Sequence, residues 1–373
     1  MKFGLFYELS VPKPWAHDSS YRVYQEALEQ IELADELGFD QIWAVEHHFL
    51  EEFSHNSAPE IFLAAAAART KRIRVGHGIV PLLPPMNHPA RVAERAAVLD
   101  IISGGRLEFG TGRASTWTEL NGFRIDPDDT RAMWEECLSA IPKMWMNDIF
   151  SHQGKYFSMP PRNVVPKPLQ KPHPPLWVAV SNPDTAILAA KKGIGLLGIS
   201  FGSPKDLQSR TAEYRRIIQN CDPVGEFVTN QINTTGWMYC HEDDEYGYNT
   251  AVGLMSDFNN LSLHTVSPKQ VYPSASYTFP GAFEVFRRGP SAIEEGPTLS
   301  RHGACVGNPE QIIKNIKAWE EIGIDRLLFF VAYGNRLPQA EVLRSMRMFA
   351  REVMPKFQKP EGTKPAPAHT ATR

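Results

Sequence analysis

Residues 37–49 read LGFDQIWAVEHHF. The glycine closes a helix: Ser20 to Leu37 carries Val23, Ala27, Leu28, Ile31 and Ala34 at helical spacing, and Gly38 supplies the stop. Asp40 to Val45 follows as a short apolar strand. That strand runs straight into Glu46, His47, His48 and Phe49. Polar side chains therefore gather at a strand's C-terminal end, the edge on which α/β barrels build their sites.

The same unit recurs on both sides. Lys2 to Leu9 reads as the first strand, and Pro59 to Thr70 as an alanine-rich helix opened by proline. Arg72 to Val80, Arg106 to Gly110, Pro175 to Val180, Ile194 to Ser200, Asn230 to Tyr239 and Arg326 to Val331 are further strands. Helices are predicted over His88 to Ile102, Thr130 to Met146, Pro183 to Lys192, Pro204 to Asn220, Asn308 to Ile322 and Pro338 to Val353. Strict alternation implies parallel strands with right-handed crossovers, and eight of them close into a (β/α)8 TIM barrel. An open doubly wound sheet fits less well, because no GxGxxG follows the first strand.

Two stretches break the rhythm. FSHQGKYFS (150–158) suits a small hairpin around Gly154. His241 to Cys305 is a long excursion between strand seven and helix seven, rich in Ser, Pro and the aromatics Tyr272, Tyr277, Phe279 and Phe283. Placed after a barrel strand, it is expected to form a lid over the mouth. The organisation is thus one barrel domain over residues 1–355, with the insertion at 241–305 and a Pro/Thr/Ala-rich tail at 356–373 expected to be disordered.

The 39 basic and 42 acidic residues give a net charge of −3, which makes no electrostatic case for nucleic acid or an anionic membrane. No apolar run approaches the roughly 18 residues of a membrane span. Cys137, Cys221, Cys240 and Cys305 are far apart with no CxxC pairing, so free thiols and a reducing cytoplasm are expected.

Adjacent histidines admit three readings: metal ligands, an acid–base pair, or one structural rim histidine beside an exposed one. Alternation along a strand turns only one of them readily toward the barrel axis. Metal binding is not expected, since the first strand lacks His-x-His and no HExxH or carboxylate cluster occurs. His77 sits between Gly76 and Gly78, which mark either close ligand approach or tight packing. His88 reads as a capping or packing residue at a helix start. Gly112 and Arg113 end strand four, where a glycine admits a flat ligand and the guanidinium clamps phosphate. Ser181 precedes a helix opened by Pro183, which suits a phosphate or an ordinary cap equally.

Taken in order, these segments resemble the bacterial luciferase-like superfamily of flavin-dependent barrels, in the FMN monooxygenase branch that holds the luciferase α subunit. The resemblance rests on MKFGLF (1–6), LGFDQIWAVEHHF (37–49), VGHGIV (75–80), NHPARVAERAAVLDIISGGRLEFGTGR (87–113), VGNPEQIIKNIKAWEEIGID (306–325) and MRMFAREVMPKF (346–357). It implies reduced FMN (FMNH2) as cofactor, O2 as co-substrate, a C4a-hydroperoxyflavin, and a small organic substrate. A separate NAD(P)H:flavin reductase would complete a two-component system, and a homodimer through the early helices is the family expectation. Residue by residue, the resemblance makes His47 the proton-transferring histidine and His48 its neighbour. Gly78–Ile79 matches a non-prolyl cis peptide beneath the flavin ring. Arg113 and Ser181, with the adjoining Val180, match the cofactor's phosphate end. Gly112 stands where the luciferases carry a cysteine. Rival expectations on the same barrel are F420-dependent hydride transfer and flavin binding without turnover.

Overall fold

The computed structural model describes residues 1–114, 116–181, 183–198, 203–266 and 304–357. Strands β1 (Lys2–Tyr7), β2 (Gln41–Ala44), β3 (Arg74–His77), β5 (Leu107–Gly112), β8 (Leu176–Val180), β9 (Gly195–Gly198), β10 (Ile232–Cys240) and β12 (Arg326–Phe330) pair in parallel, each with the next. β12 returns to β1, with Lys2 opposite Arg326, so the sheet closes into the expected TIM barrel. The short β4 (Val80–Pro81) lies on β5, and β11 (Cys305–Gly307) adds to β10.

Helices α1 (Ser19–Leu37), α2 (Pro59–Arg69), α3 (Pro89–Ile102), α5 (Thr130–Met146), α6 (Pro183–Lys191), α7 (Pro204–Ile218), α9 (Pro309–Glu321) and α10 (Gln339–Met348) are close to those predicted. Gly38 ends α1 with φ 90°, its N–H bonded to the Ala34 carbonyl, as its position suggested. His88 is the N-cap of α3, its ring accepting from the Ala90 N–H. The hairpin around Gly154 forms as β6 (Phe150–Gln153) and β7 (Ser158–Arg162).

The third strand departs from expectation. It ends at His77, with the Gly78 N–H still bonded to the Ala44 carbonyl of β2 at 2.7 Å, and pairing resumes at Val80. The Gly78–Ile79 peptide is trans; the cis bonds among the described residues all precede proline, at Pro14, Pro166 and Pro172. Gly76 answers the packing alternative, because a Cβ there would stand 2.5 Å from the Trp43 ring. A six-residue helix, α4 (Trp117–Gly122), was not foreseen. The expected insertion starts as a long helix, α8 (Asp244–Val266). Its aromatics Tyr272, Tyr277, Phe279 and Phe283 lie outside the described residues, as does the tail from 358 onward. Phe357 is buried, its ring 5.8 Å from Phe3.

The barrel floor is polar. Glu108 accepts from the Trp177 indole at 2.6 Å, from the Gln41 amide at 3.1 Å, and from Arg74. Arg326 bonds Asp40 at 2.6 Å and Asn233 at 2.8 Å, and Asn233 reaches Gln41. These buried polar groups satisfy one another at the end opposite the mouth. Among the described residues no helix is long and apolar enough to cross a membrane, and the four cysteines are unpaired.

Candidate active site

The segment directly after β2 sets the histidine pair. Asn56, fully buried, donates its side-chain amide to the Val45 carbonyl at 2.8 Å, and its own carbonyl accepts the His47 N–H at 3.1 Å. This holds the strand end rigid and splits the pair. His47 faces the mouth cavity. His48 turns away, within 3.2 Å of Glu46, and packs edge-on against Phe123 at 5.1 Å. Glu46 is tied in turn to Asn87 at 2.6 Å, and Asn87 to Arg95. His48 is therefore a supporting residue in this arrangement, apart from the lining that the other candidates share.

His47 lies between two carboxylates that sequence reading missed. Its Nδ1 donates to Glu119 Oε1 at 2.9 Å, and its Nε2 stands 3.8 Å from Glu8 Oε2. Burial alone would lower the imidazole's pKa. The bonded Glu119 carboxylate, with Glu8 and Glu46 behind it, outweighs burial and raises it to about 9. His47 is thus an imidazolium at neutral pH. Glu119 is held below the ordinary carboxylate range against the cost of its own burial, by His47, Thr116 and the His48 N–H. Glu8 behaves oppositely: burial pushes it up to about 7, with His47 opposing and Glu119 adding.

Sequence signals for both existed. Glu8 directly follows the first strand, at the mouth end. Glu119 ends a T-x-x-E sequence at a helix start, in which the Glu119 N–H donates to the N-cap Thr116 hydroxyl at 3.2 Å and that hydroxyl donates to the carboxylate at 2.8 Å.

The cavity has a volume of about 190 Å³. Beside His47 and Glu8 it is walled by Phe6, Phe53, Ile79, Trp134, Val180 and Phe330, with Phe258 and Ser262 of α8 over it. Gly78, Ile79, Gly112, Arg113, Val180 and Ser181 all line it, so seven of the eight sequence candidates converge there. Gly112 sits so close to Ile79 that a Cβ would meet its side chain at 2.9 Å. Arg113, hydrogen-bonded to Thr130 at 3.3 Å, is joined by Arg131 and by Thr185 in the first turn of α6. Two guanidinium groups, two hydroxyls and a helix N-terminus make this end of the cavity suited to a phosphate. His77 stays out, buried behind the wall with its pKa lowered by burial to about 4. Among the described residues no group of three His, Cys, Asp or Glu side chains is placed to hold a metal.

Among known proteins, a family model described as luciferase-like monooxygenase matches residues 1–251. The oxygenase component of flavin-dependent trigonelline monooxygenase from Acinetobacter baylyi is 25% identical over 361 residues, 96% of each chain. The crystal structure of monooxygenase RslO1 from Streptomyces bottropensis superposes with a TM-score of 0.78 at 30% identity, covering 96% of this chain and all of that one. The FMN complex of the oxygenating constituent of 3,6-diketocamphane monooxygenase from Pseudomonas putida has a TM-score of 0.75 at 18% identity, over 96% of this chain and 100% of that one, a likeness of fold alone.

Proposed function

The chain belongs to the luciferase-like monooxygenase family, and we propose that it is the oxygenase component of a two-component system. In this reading it binds FMNH2 delivered by a separate NAD(P)H:flavin reductase, takes O2 as co-substrate and oxygenates a small organic molecule. One observation carries the reading: a single cavity joins a cationic, hydroxyl-lined end to an apolar body with an imidazolium at its side.

Arg113, Arg131, Ser181 and Thr185 would hold the cofactor's phosphate, and the wall of Gly78, Ile79, Gly112 and Val180 would take its flat ring. When bound, reduced flavin supplies the electrons for oxygen activation. Phe6, Phe53, Phe258 and Phe330 exclude water. His47, oriented by Glu119, presents its Nε2 proton to the cavity. His48 supports that placement from the outer side. The unpaired cysteines fit a reducing cytoplasm.

F420-dependent hydride transfer uses the same barrel and is separated by binding. Anaerobic titration should give tight binding of FMNH2 and weak binding of reduced F420. Arg113→Ala should weaken FMNH2 binding about 10–100-fold, the worth of a charge-assisted contact. His47→Ala should keep binding while turnover falls about 100-fold or more. Preferential F420 binding would overturn the proposal. Tight FMNH2 binding with no oxygen-dependent product from any substrate would leave a flavin carrier.

A further inference from the structure

Glu8 borders two chambers. On one side it lines the mouth cavity beside His47. On the other it lines a smaller cavity of about 30 Å³ between the barrel wall and α1, bounded also by Tyr7, Gln30 and Tyr333. Among the described residues it is the ionisable one common to both. Tyr7 Oη, Glu8 Oε2, Gln30 Oε1 and Tyr333 Oη are each buried with no hydrogen-bond partner among the described residues. Roughly 10–15 Å³ suffices for one water, and a buried water serves polar atoms that lack protein partners.

The backbone around this chamber is held in an uncommon conformation. Leu9, Tyr333 and Asn335, none of them glycine, have φ of 53°, 50° and 62°, and Gly334 between the last two has 64°. All four line the chamber. Left-handed non-glycine residues cluster where the surrounding structure enforces a functional shape. Gly334 and Asn335 are only partly buried, so they form the chamber's outer lip.

We propose that Glu8 is a second proton-exchanging group of the site, resupplied from solvent through water held in the chamber behind it. The role rests on the oxygenase reading: reduced flavin held as its anion would bring one of the two hydrogens that leave in the released water, and solvent must supply the other. In the step, the Glu8 O–H bond breaks as its proton passes to an acceptor in the mouth cavity. The carboxylate then takes a proton from chamber water, and the hydroxide left is neutralised by a solvent proton relayed past Asn335. His47 cannot readily serve twice, since its Nδ1 proton is committed to Glu119. The charged and titratable groups facing Glu8 are Tyr7 on its own strand, Glu46 and His47 after β2, Glu119 on α4, and Tyr333 after β12. Gln30 of α1 and Phe258 and Ser262 of α8 bring no charge. With its midpoint near 7, Glu8 is populated in both forms at neutral pH.

The test is difference infrared spectroscopy of the flavin-free full chain, titrated through neutrality. The expected result is a protonated-carboxyl band with a midpoint near 7, lost in Glu8→Gln. The band should shift promptly in D2O and move in frequency in Tyr333→Phe. A band that survives Glu8→Gln, or none titrating near neutrality, overturns the proposal. So does a band indifferent to both D2O and Tyr333→Phe. Should Glu8→Gln fail to fold, Tyr333→Phe carries the test, because it keeps the carboxyl and removes only the hydroxyl. Flavin takes no part in this measurement. Failure of FMNH2 binding with the band intact would therefore remove the oxygenase reading and leave the chamber-fed proton group standing.

Discussion

At the scale of the residue, the site turns on one imidazole held by one buried carboxylate. His47 gains its proton affinity from Glu119 against the opposing cost of burial. Replacing Glu119 by Gln keeps the shape and removes the charge. Its His47 pKa should therefore fall from about 9, as burial then meets only the weaker pull of Glu8 and Glu46. NMR titration of the ring nitrogens reads this directly, and a value unchanged in Glu119→Gln would show that the pair does not set it. Stability follows in sign. A histidine with a raised folded pKa stabilises fully below about 6.5, and that contribution is lost as pH climbs through about 9. Glu8, a carboxyl raised in the folded state, gives a loss of the same sign between about 4.5 and 7. Melting temperature should accordingly decline from weakly acid to alkaline pH, and Glu119→Gln should flatten the upper part of that decline.

At the scale of the element, the barrel carries its function at one end and its polar stitching at the other. Glu108 on β5 gathers donors from β2, β3 and β8, so it ties four neighbouring strands at the floor. Glu108→Ala leaves the Trp177 indole and the Gln41 amide without their acceptor and takes from Arg74 its carboxylate partner, and should cost about 3–5 kcal/mol, read as a lowered urea midpoint. Flavin affinity at low temperature should barely change, since the mouth is untouched. A midpoint equal to that of the parent chain would show that water replaces the carboxylate. The strands themselves were legible because each apolar run is punctuated: Gly38 stops a helix and Pro59 starts the next. The floor network was not, because alternation reads Gln41 and Glu108 as outward-facing polar residues and cannot see them meet inside a closed barrel. Helix α4 was hidden for a different reason. Six residues make less than two turns, too few for any period to show, and only its T-x-x-E sequence marked it.

At the scale of the whole molecule, what stayed hidden is long-range pairing. His47 and Glu119 are 72 residues apart in the chain, and nothing local in either segment names the other. The same limit applies to association, which rests on the sequence resemblance alone, and one exposed apolar face is where it can be tested. Ile61 on α2 and Val98, Ile101 and Ile102 on α3 are between 42% and 69% exposed. The last three share the i, i+3, i+4 face of α3. With Ala64 and Leu99 at its base, this face forms a shallow groove edged by Glu60, Arg91 and Glu94. A two-fold axis through it would lay apolar side chains on their own copies and bring charges of both signs into opposition, which is what an isologous interface requires. Ile61→Glu with Ile102→Glu should therefore convert a dimer into a monomer in sedimentation velocity, with far-UV circular dichroism unchanged because neither side chain is part of the core. The mouth lies at the strands' C-terminal ends, away from this lateral face, so the monomer should still bind FMNH2. A parent chain that sediments as a monomer at micromolar concentration would remove the interface, and a double variant that stays dimeric would place it elsewhere on the barrel.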